Sequence, residues 1–396
     1  MPIMKSQKVM ANPREREANV TIPVYGQLPF VPERASGCEL LTEDGRRILD
    51  LYGGHAVAAL GYSHPRLLRA IQEQSDRLLF QSNSVALEVR ARAAENLVRV
   101  APPALDRVFF VNSGAEANEN ALRMACVATG RQKILAITQG FHGRTAAAAA
   151  VTWNSDKWYG FPSRPFDVEF IPRDDIAAAE EMITSDVAAV IFEPVQGVAG
   201  AYDLSRAFLE TLREQTLAHG SLLIADEVQS GMGRSGHFFA VQAHAIDPDI
   251  MTSAKALGGG IPCGALLCTQ DIAARFGPGD LGSTFGGGPV AAAAIAATIE
   301  TIDDDGLLAN VREREAQVRA QCVVGPVQKV QGMGLLLGLV CDQPAVDVRN
   351  VLLENDILTG TSSDPAVLRI LAPLVLEAGH VDRLANALEA IAPISG

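Results

Sequence analysis

From Arg107 to about residue 270, short runs of β-branched and apolar residues alternate with stretches whose apolar positions recur every three or four residues. The runs RVFFV, KILAI, VEFIP, VAAVIFEP, LLIADEV and CGALLCT predict strands, whereas AEANENALRMACVATG and RAFLETLREQTLAHG predict helices. Each helix runs into a glycine, Gly130 or Gly220, suited to the left-handed residue that ends a helix. Such alternation implies an α/β fold with a mostly parallel sheet, covered on both faces and linked by right-handed crossovers.

Upstream, HPRLLRAIQEQSDRLLF and SVALEVRARAAENLVRVA carry helical periodicity, and before them the turn EDGRR separates two strand-like pieces. Beyond residue 290 an alanine-rich helix leads into a smaller α+β region that ends near Pro393. The pattern predicts a large central domain over residues 51–288. A small domain is expected from both chain ends, residues 1–50 and 289–396. The opening segment, MPIMKSQKVMANPRERE, has no apolar stretch of the secretory kind and is expected to be a partly loose arm.

With 396 residues the chain is long enough for two domains, each with its own core. A formal net charge of −13 argues against a nucleic-acid surface, because phosphate contacts need clustered Lys and Arg. Small molecules and other protein chains are the expected partners. The apolar run FGGGPVAAAAIAATIETI is diluted by glycine, Thr and Glu, so it predicts a buried helix and no membrane span. Six cysteines, at 38, 126, 263, 268, 322 and 341, show neither a CxxC pair nor zinc spacing. They read as buried thiols of a reducing compartment, the cytoplasm, with no metal site.

Chemistry concentrates where strands end. The stretch SLLIADEVQSGMGRSG allows three readings. A magnesium-binding strand end would need a GxxxxGK[ST] loop, and none of the six lysines follows a glycine. GMGRSG matches the GxGxxG of dinucleotide sites, but DEVQS separates it from the strand end where that turn belongs. The third reading joins Asp226 to Lys255 in MTSAKALGGG. A carboxylate at the carboxyl end of a strand can keep a pyridine nitrogen protonated. A lysine buried among small apolar groups loses basicity and can bond to an aldehyde cofactor. A lysine reaching out to solvent and an aspartate paired with a neighbour would carry the same two letters.

In FFVNSGAEANENALRMA a strand runs into Ser113, Gly114 and Ala115, and Ser113 with Glu116 makes an S-x-x-E capping box. Free N–H groups at that helix start favour an anion by about 0.3–1 kcal/mol. Gly114 permits close backbone approach. An ordinary capped helix reads identically. In GFHGRTAAA, Phe141 and His142 lie at another strand-to-helix junction, where the aromatic ring either stacks on a cofactor or fills the core. Arg144 offers a fork of donors to a substrate carboxylate or to a surface ion pair.

Taken in order, NSGAEAN, FHGRT, DEVQ and the Lys255 segment resemble the class III pyridoxal-phosphate aminotransferases, most closely the acetylornithine and ornithine aminotransferases. The resemblance runs from about Asp50 to Leu374. It implies the aspartate-aminotransferase fold (fold type I), with a mostly parallel seven-stranded sheet in the large domain and a small α+β domain. It also implies that Ser113, Gly114 and Ala115 bind the cofactor phosphate, that Phe141, beside His142, and Val228 cover the two ring faces, and that Gln229 meets the phenolic oxygen. Asp226 then faces the ring nitrogen and Lys255 bonds to the aldehyde. Arg144 and, in LRILAPL, Arg369 become carboxylate-binding arginines. Thr284 in GSTFGG reaches the phosphate of a neighbouring subunit, which makes the enzyme a homodimer. The implied reaction moves the terminal amino group of an N-acylated diamino acid, such as acetylornithine, to 2-oxoglutarate by a ping-pong route within arginine biosynthesis. Transamination of 4-aminobutyrate, ornithine or a lysine derivative is the alternative, and decarboxylation or an amine shift is a more distant one.

Two departures bear on this. Where the family has a glutamate that pairs with its second arginine, EPVQGVAG has Val198, so Arg369 must pair elsewhere, stay hydrated, or hold a substrate carboxylate in both half-reactions. GGGP, residues 286–289, lacks the asparagine usual before the proline. In DLYGGHAVAALGYSHP, His55 sits in a glycine-rich turn near the family's substrate mouth, as a contact or as scaffolding. Glu193 resembles a family residue near the cofactor and takes no role from the sequence.

Overall fold

The computed structural model describes residues 12–391. Most of the expected loose arm, residues 1–11, and Pro393 lie outside that range. The rest of the arm opens with a short helix, Pro13–Ala18, whose first turn is capped by the Asn12 side chain.

Near the N-terminus β1 (Pro32–Ser36), β2 (Glu39–Thr42) and β3 (Arg47–Asp50) pair antiparallel, β2 and β3 being joined by the EDGRR turn. The main sheet follows: β4 (Arg107–Val111), β5 (Lys133–Ile137), β6 (Asp167–Ile171) and β7 (Val187–Phe192) come first. After a short ribbon of β8 (Val195–Gln196) and β9 (Tyr202–Asp203), it is completed by β10 (Leu222–Asp226), β11 (Ile250–Ser253) and β12 (Gly264–Cys268). Its seven strands lie in the order β4-β12-β11-β10-β7-β5-β6. All are parallel except β12, which runs against both neighbours.

Helices cover both faces of this sheet, so its central strands lose alternation: all six residues of β7 are buried. Each large apolar side chain taken out of water there contributes roughly 1.5–3 kcal/mol. The predicted glycine stops are present, with Gly130 and Gly220 at φ 71° and 63° after the helices Gly114–Thr129 and Arg206–His219. The second upstream helix, Glu88–Val100, begins later than the apolar periodicity around Ser84. The alanine-rich helix Pro289–Asp304 packs closely on Pro65–Arg77 and Glu88–Val100, because methyl side chains let the backbones approach. Among the described residues no helix is long and apolar enough to cross a membrane.

Past residue 325, β13 (Val327–Met333), β14 (Leu336–Cys341), β15 (Ile357–Leu358), β16 (Gly360–Thr361) and β17 (Val367–Ile370) make two further pairings. One sheet has the order β13-β14-β17-β16. In the other, β15 joins β3 in parallel, with Leu49 opposite Ile357, so the two ends of the chain share one sheet. All strand ends that matter for the site lie at the carboxyl edge of the seven-stranded sheet. There β10 delivers Asp226, β7 runs on to Glu193, β5 leads to Phe141 and β11 leads to Lys255.

Candidate active site

A cavity of about 460 Å³ opens at that edge. Ser113, Gly114, Ala115, Phe141, His142, Arg144, Asp226, Val228, Gln229 and Lys255 all line it, together with Asn118, Glu193 and Val198. Thr284, Arg369 and His55, also singled out in the sequence, do not. Thr284 lies on an exposed loop held beside β4, where Asn112 Nδ2 donates to Ser283 Oγ at 3.2 Å. Arg369 lies behind the cavity on β17, only 7% exposed.

Asp226 is buried at the end of β10 and fully engaged. Its Oδ2 accepts from His142 Nδ1 at 2.8 Å and from Asn118 Nδ2 at 2.7 Å, and its Oδ1 accepts from the Val228 N–H at 3.0 Å. Asn118 is fixed in turn, because its oxygen accepts from Thr252 Oγ1 at 2.7 Å and its amide also donates to the His142 carbonyl at 2.8 Å. The neighbouring Glu227 turns away. It accepts from Val241 N–H at 2.8 Å and Ser230 Oγ at 2.5 Å, tying the end of β10 to the helix Ala240–His244. The adjacent acids of the sequence therefore separate into one cavity residue and one structural residue.

Lys255 follows β11 in a left-handed conformation, φ 43°, and is half-buried at the cavity wall. A non-glycine residue there carries backbone strain. Burial holds its ammonium below the usual lysine range; Asp226 and Glu193 oppose that shift, while Arg369 and Arg234 reinforce it. Among the described residues it has no ion-pair partner within 4 Å. The amine is thus easier to deprotonate than an exposed lysine and free to react. Glu193 is buried opposite, with its carboxyl pushed up by desolvation, and accepts from the Phe141 N–H at 2.8 Å and the Gly197 N–H at 3.3 Å.

At the end lined by Ser113, Gly114 and Ala115 the helix Gly114–Thr129 brings its N-terminus to the cavity. Ser113 Oγ accepts from Glu116 N–H at 3.1 Å as the capping box requires. The return bond differs from expectation: the Glu116 carboxylate reaches past Ser113 to the Asn112 N–H at 2.9 Å. Gly114 is also needed for a reason other than backbone approach to a ligand, since a Cβ there would lie 2.7 Å from a Val228 methyl. Arg144 is exposed at the rim, its guanidinium carbon 5.0 Å from the Phe141 ring centroid and 5.8 Å from that of Trp158. No acidic partner sits within ion-pair distance of it among the described residues. The GMGRSG match forms turns between β10 and the helix Ala240–His244 and does not open a helix at a strand end, which removes the dinucleotide reading.

Asn118 and Thr252 carry the hydrogen-bond network behind Asp226 and were not singled out in the sequence. Their signal was a polar residue on the inward face of a helix and another inside a buried strand.

The family described as Aminotransferase class-III matches residues 22–392. The acetylornithine aminotransferase of Methanopyrus kandleri is 40% identical over 92% of this chain and 96% of that protein. Among solved structures, the ornithine aminotransferase of Toxoplasma gondii, with partial occupancy of PLP at its active site, aligns with a TM-score of 0.88 at 27% identity, over 96% of this chain and 94% of that one. The acetylornithine aminotransferase of Elizabethkingia anophelis aligns with a TM-score of 0.85 at 29% identity, over 95% and 97%. Fold and site together define an α/β enzyme of the aspartate-aminotransferase type. Within that type, the chain belongs to the class III aminotransferases.

Proposed function

We propose that this enzyme binds pyridoxal phosphate in the cavity and transfers the terminal amino group of an N-acylated diamino acid, acetylornithine in the first instance, to 2-oxoglutarate. The reading rests on one observation above all: a lone lysine of lowered basicity faces a hydrogen-bonded, buried aspartate across a cavity that ends in a helix N-terminus. The residues fit the cofactor. The N–H groups at Ser113, Gly114 and Ala115 suit a phosphate, and Asp226 suits a protonated ring nitrogen. Phe141 and Val228 would flank the ring. Among the described residues the buried Gln229 Oε1 has no protein partner, so that side chain is not tied down through its oxygen, and its Nε2 would be the donor to the phenolic oxygen.

When bound, pyridoxal phosphate supplies an aldehyde that bonds to amines and a cationic ring that accepts an electron pair from the substrate carbon. Lys255 would carry the proton between the substrate carbon and the cofactor, as base and then as acid, a role that its lowered basicity favours. Asp226 holds the ring proton in place, and its bonds to His142 and Asn118 fix the carboxylate's direction. Arg144 at the rim and Arg369 behind the cavity are assigned to substrate carboxylates.

The same reading makes the protein a homodimer in which Thr284 completes the neighbour's site, in keeping with its exposed position outside this cavity. The large domain is taken as residues 51–288, with the small domain built from both ends. To test the function, the holoenzyme is mixed with acetylornithine, ornithine, 4-aminobutyrate and acylated lysine in single turnover while the cofactor's visible absorbance is followed. Acetylornithine is expected to discharge it fastest. No response to any acylated diamino acid sinks the proposal.

A further inference from the structure

Arg369 is a buried cation without a carboxylate. Its Nε donates to the Thr361 carbonyl at 2.7 Å, one terminal nitrogen to the Gly197 carbonyl at 3.2 Å, and the other to the Tyr52 hydroxyl at 2.8 Å. All three partners are neutral. Glu193, the acid whose field reaches it, is beyond ion-pair distance and already serves the N–H groups of Phe141 and Gly197. A guanidinium carries five N–H donors, so about two remain for a ligand.

The Tyr52 contact is built with care. Across β16 and β17 Gly360 stands opposite Arg369, and a Cβ on Gly360 would lie 1.9 Å from the Tyr52 ring, so the bare glycine makes the space the ring occupies. The Tyr52 oxygen, having accepted from Arg369, has one proton left to give, and His55 Nδ1 lies 3.0 Å away. His55 belongs to a left-handed turn in which Gly53, Gly54, His55 and Ala56 all have positive φ, from 54° to 67°. Two of these are not glycine, a conformation that costs roughly 1–2 kcal/mol at each. Asp50 pins the start of that turn by accepting the N–H groups of Tyr52 and Gly53 at 2.7 and 2.9 Å. Burial raises the Tyr52 hydroxyl above its ordinary range and lowers His55, with Arg369 and Lys255 adding to the fall, so both stay neutral.

We propose that Tyr52, oriented by His55, is the positioning residue that holds Arg369 with an uncharged ligand, so that the resting enzyme presents an unneutralised guanidinium ready for the second carboxylate of a dicarboxylate substrate. The proposal rests on the reading of Arg369 as a carboxylate site. Arg144, also without an acidic partner, takes the other carboxylate. No internal carboxylate has to be displaced, and a dicarboxylate therefore enters the form of the enzyme that awaits the amino donor as readily as the form that awaits the acceptor.

The test uses the holoenzyme and glutarate, a dicarboxylate with no amine or keto group to react. In the wild type, glutarate binds by titration calorimetry and competes with the amino donor. Tyr52→Phe and His55→Ala each raise its dissociation constant roughly tenfold, the scale of one hydrogen bond to a charged group. His55→Gln, which keeps an acceptor for the tyrosine proton, restores it to within about twofold of wild type. KM for 2-oxoglutarate rises by the same factor while kcat changes less than about twofold, as expected when binding common to ground and transition states is lost. Unchanged glutarate affinity in Tyr52→Phe, or a fall in kcat as large as the rise in KM, overturns the proposal. Arg369→Lys separates the two layers. If it too leaves glutarate binding intact, the carboxylate assignment of Arg369 fails; if it alone weakens glutarate, only the role of Tyr52 and His55 fails.

Discussion

Two substitutions at the cavity distinguish chemistry from binding. Lys255→Ala removes the only lysine that lines the cavity among the described residues and with it the proposed proton carrier, so turnover should fall by roughly 10³-fold or more in a steady-state assay. Asp226→Asn keeps the shape and most of the hydrogen bonding but gives up the charge that holds a ring proton. Its kcat should drop roughly 10²–10⁴-fold, while the cofactor dissociation constant, measured by dialysis and absorbance, rises by much less. A comparable loss in both quantities would make Asp226 a binding residue. Position 226 also shows why an aspartate next to a glutamate cannot be interpreted from the sequence alone: the period of two along β10 sends one side chain to the cavity and the other to the helix Ala240–His244.

At the scale of elements, Glu227 couples stability to pH. Burial pushes its carboxyl from the ordinary 4.5 up to about 7. Because the folded state favours the protonated form, the stabilisation is complete below about pH 4.5 and is lost as pH rises through about 7. The loss amounts to about 3 kcal/mol at most. Glu227→Gln removes this term, so urea midpoints of variant and wild type should converge or cross in favour of the variant between pH 4.5 and 7. Parallel curves across that window would refute the coupling. Most elements were legible beforehand because burial on both faces erases alternation in β7 and β10 and because glycines punctuate the helices. The reversal of β12 was not, since strand direction is set by pairing partners and leaves no trace in the periodicity of GALLC. Nor was the left-handed turn at 53–56, because its His55 and Ala56 disfavour that conformation and hydrogen bonds of the folded chain, among them those to Asp50 and Tyr52, hold it. The site residues that lie in one local stretch were readable from the sequence; the Tyr52 contact to Arg369, between residues some 300 positions apart, exists only once the chain is folded.

For the whole molecule, the position of Thr284 sets up a complementation experiment. Its loop also exposes Phe285, 63% accessible and tilted against Phe80 with ring centroids 5.1 Å apart, an apolar face of the kind a partner subunit covers. Mixing Lys255→Ala protein with Thr284→Ala protein under subunit exchange should restore activity to about a quarter of the wild-type value, because half of a random population is mixed and one of its two sites has both residues. If Thr284 served its own subunit, no mixture would recover.

The sheet shared by the two chain ends has a bearing on how the protein is made. β3 leaves the ribosome early, but β15, its parallel partner, emerges about 300 residues later. At roughly 5–20 residues per second this is a wait on the order of 15–60 s. Throughout that interval the edge of β3 offers unpaired backbone groups to any passing strand, a recognised route to aggregation. Because β2 occupies the opposite edge of β3, this edge stays without its partner until translation is almost finished.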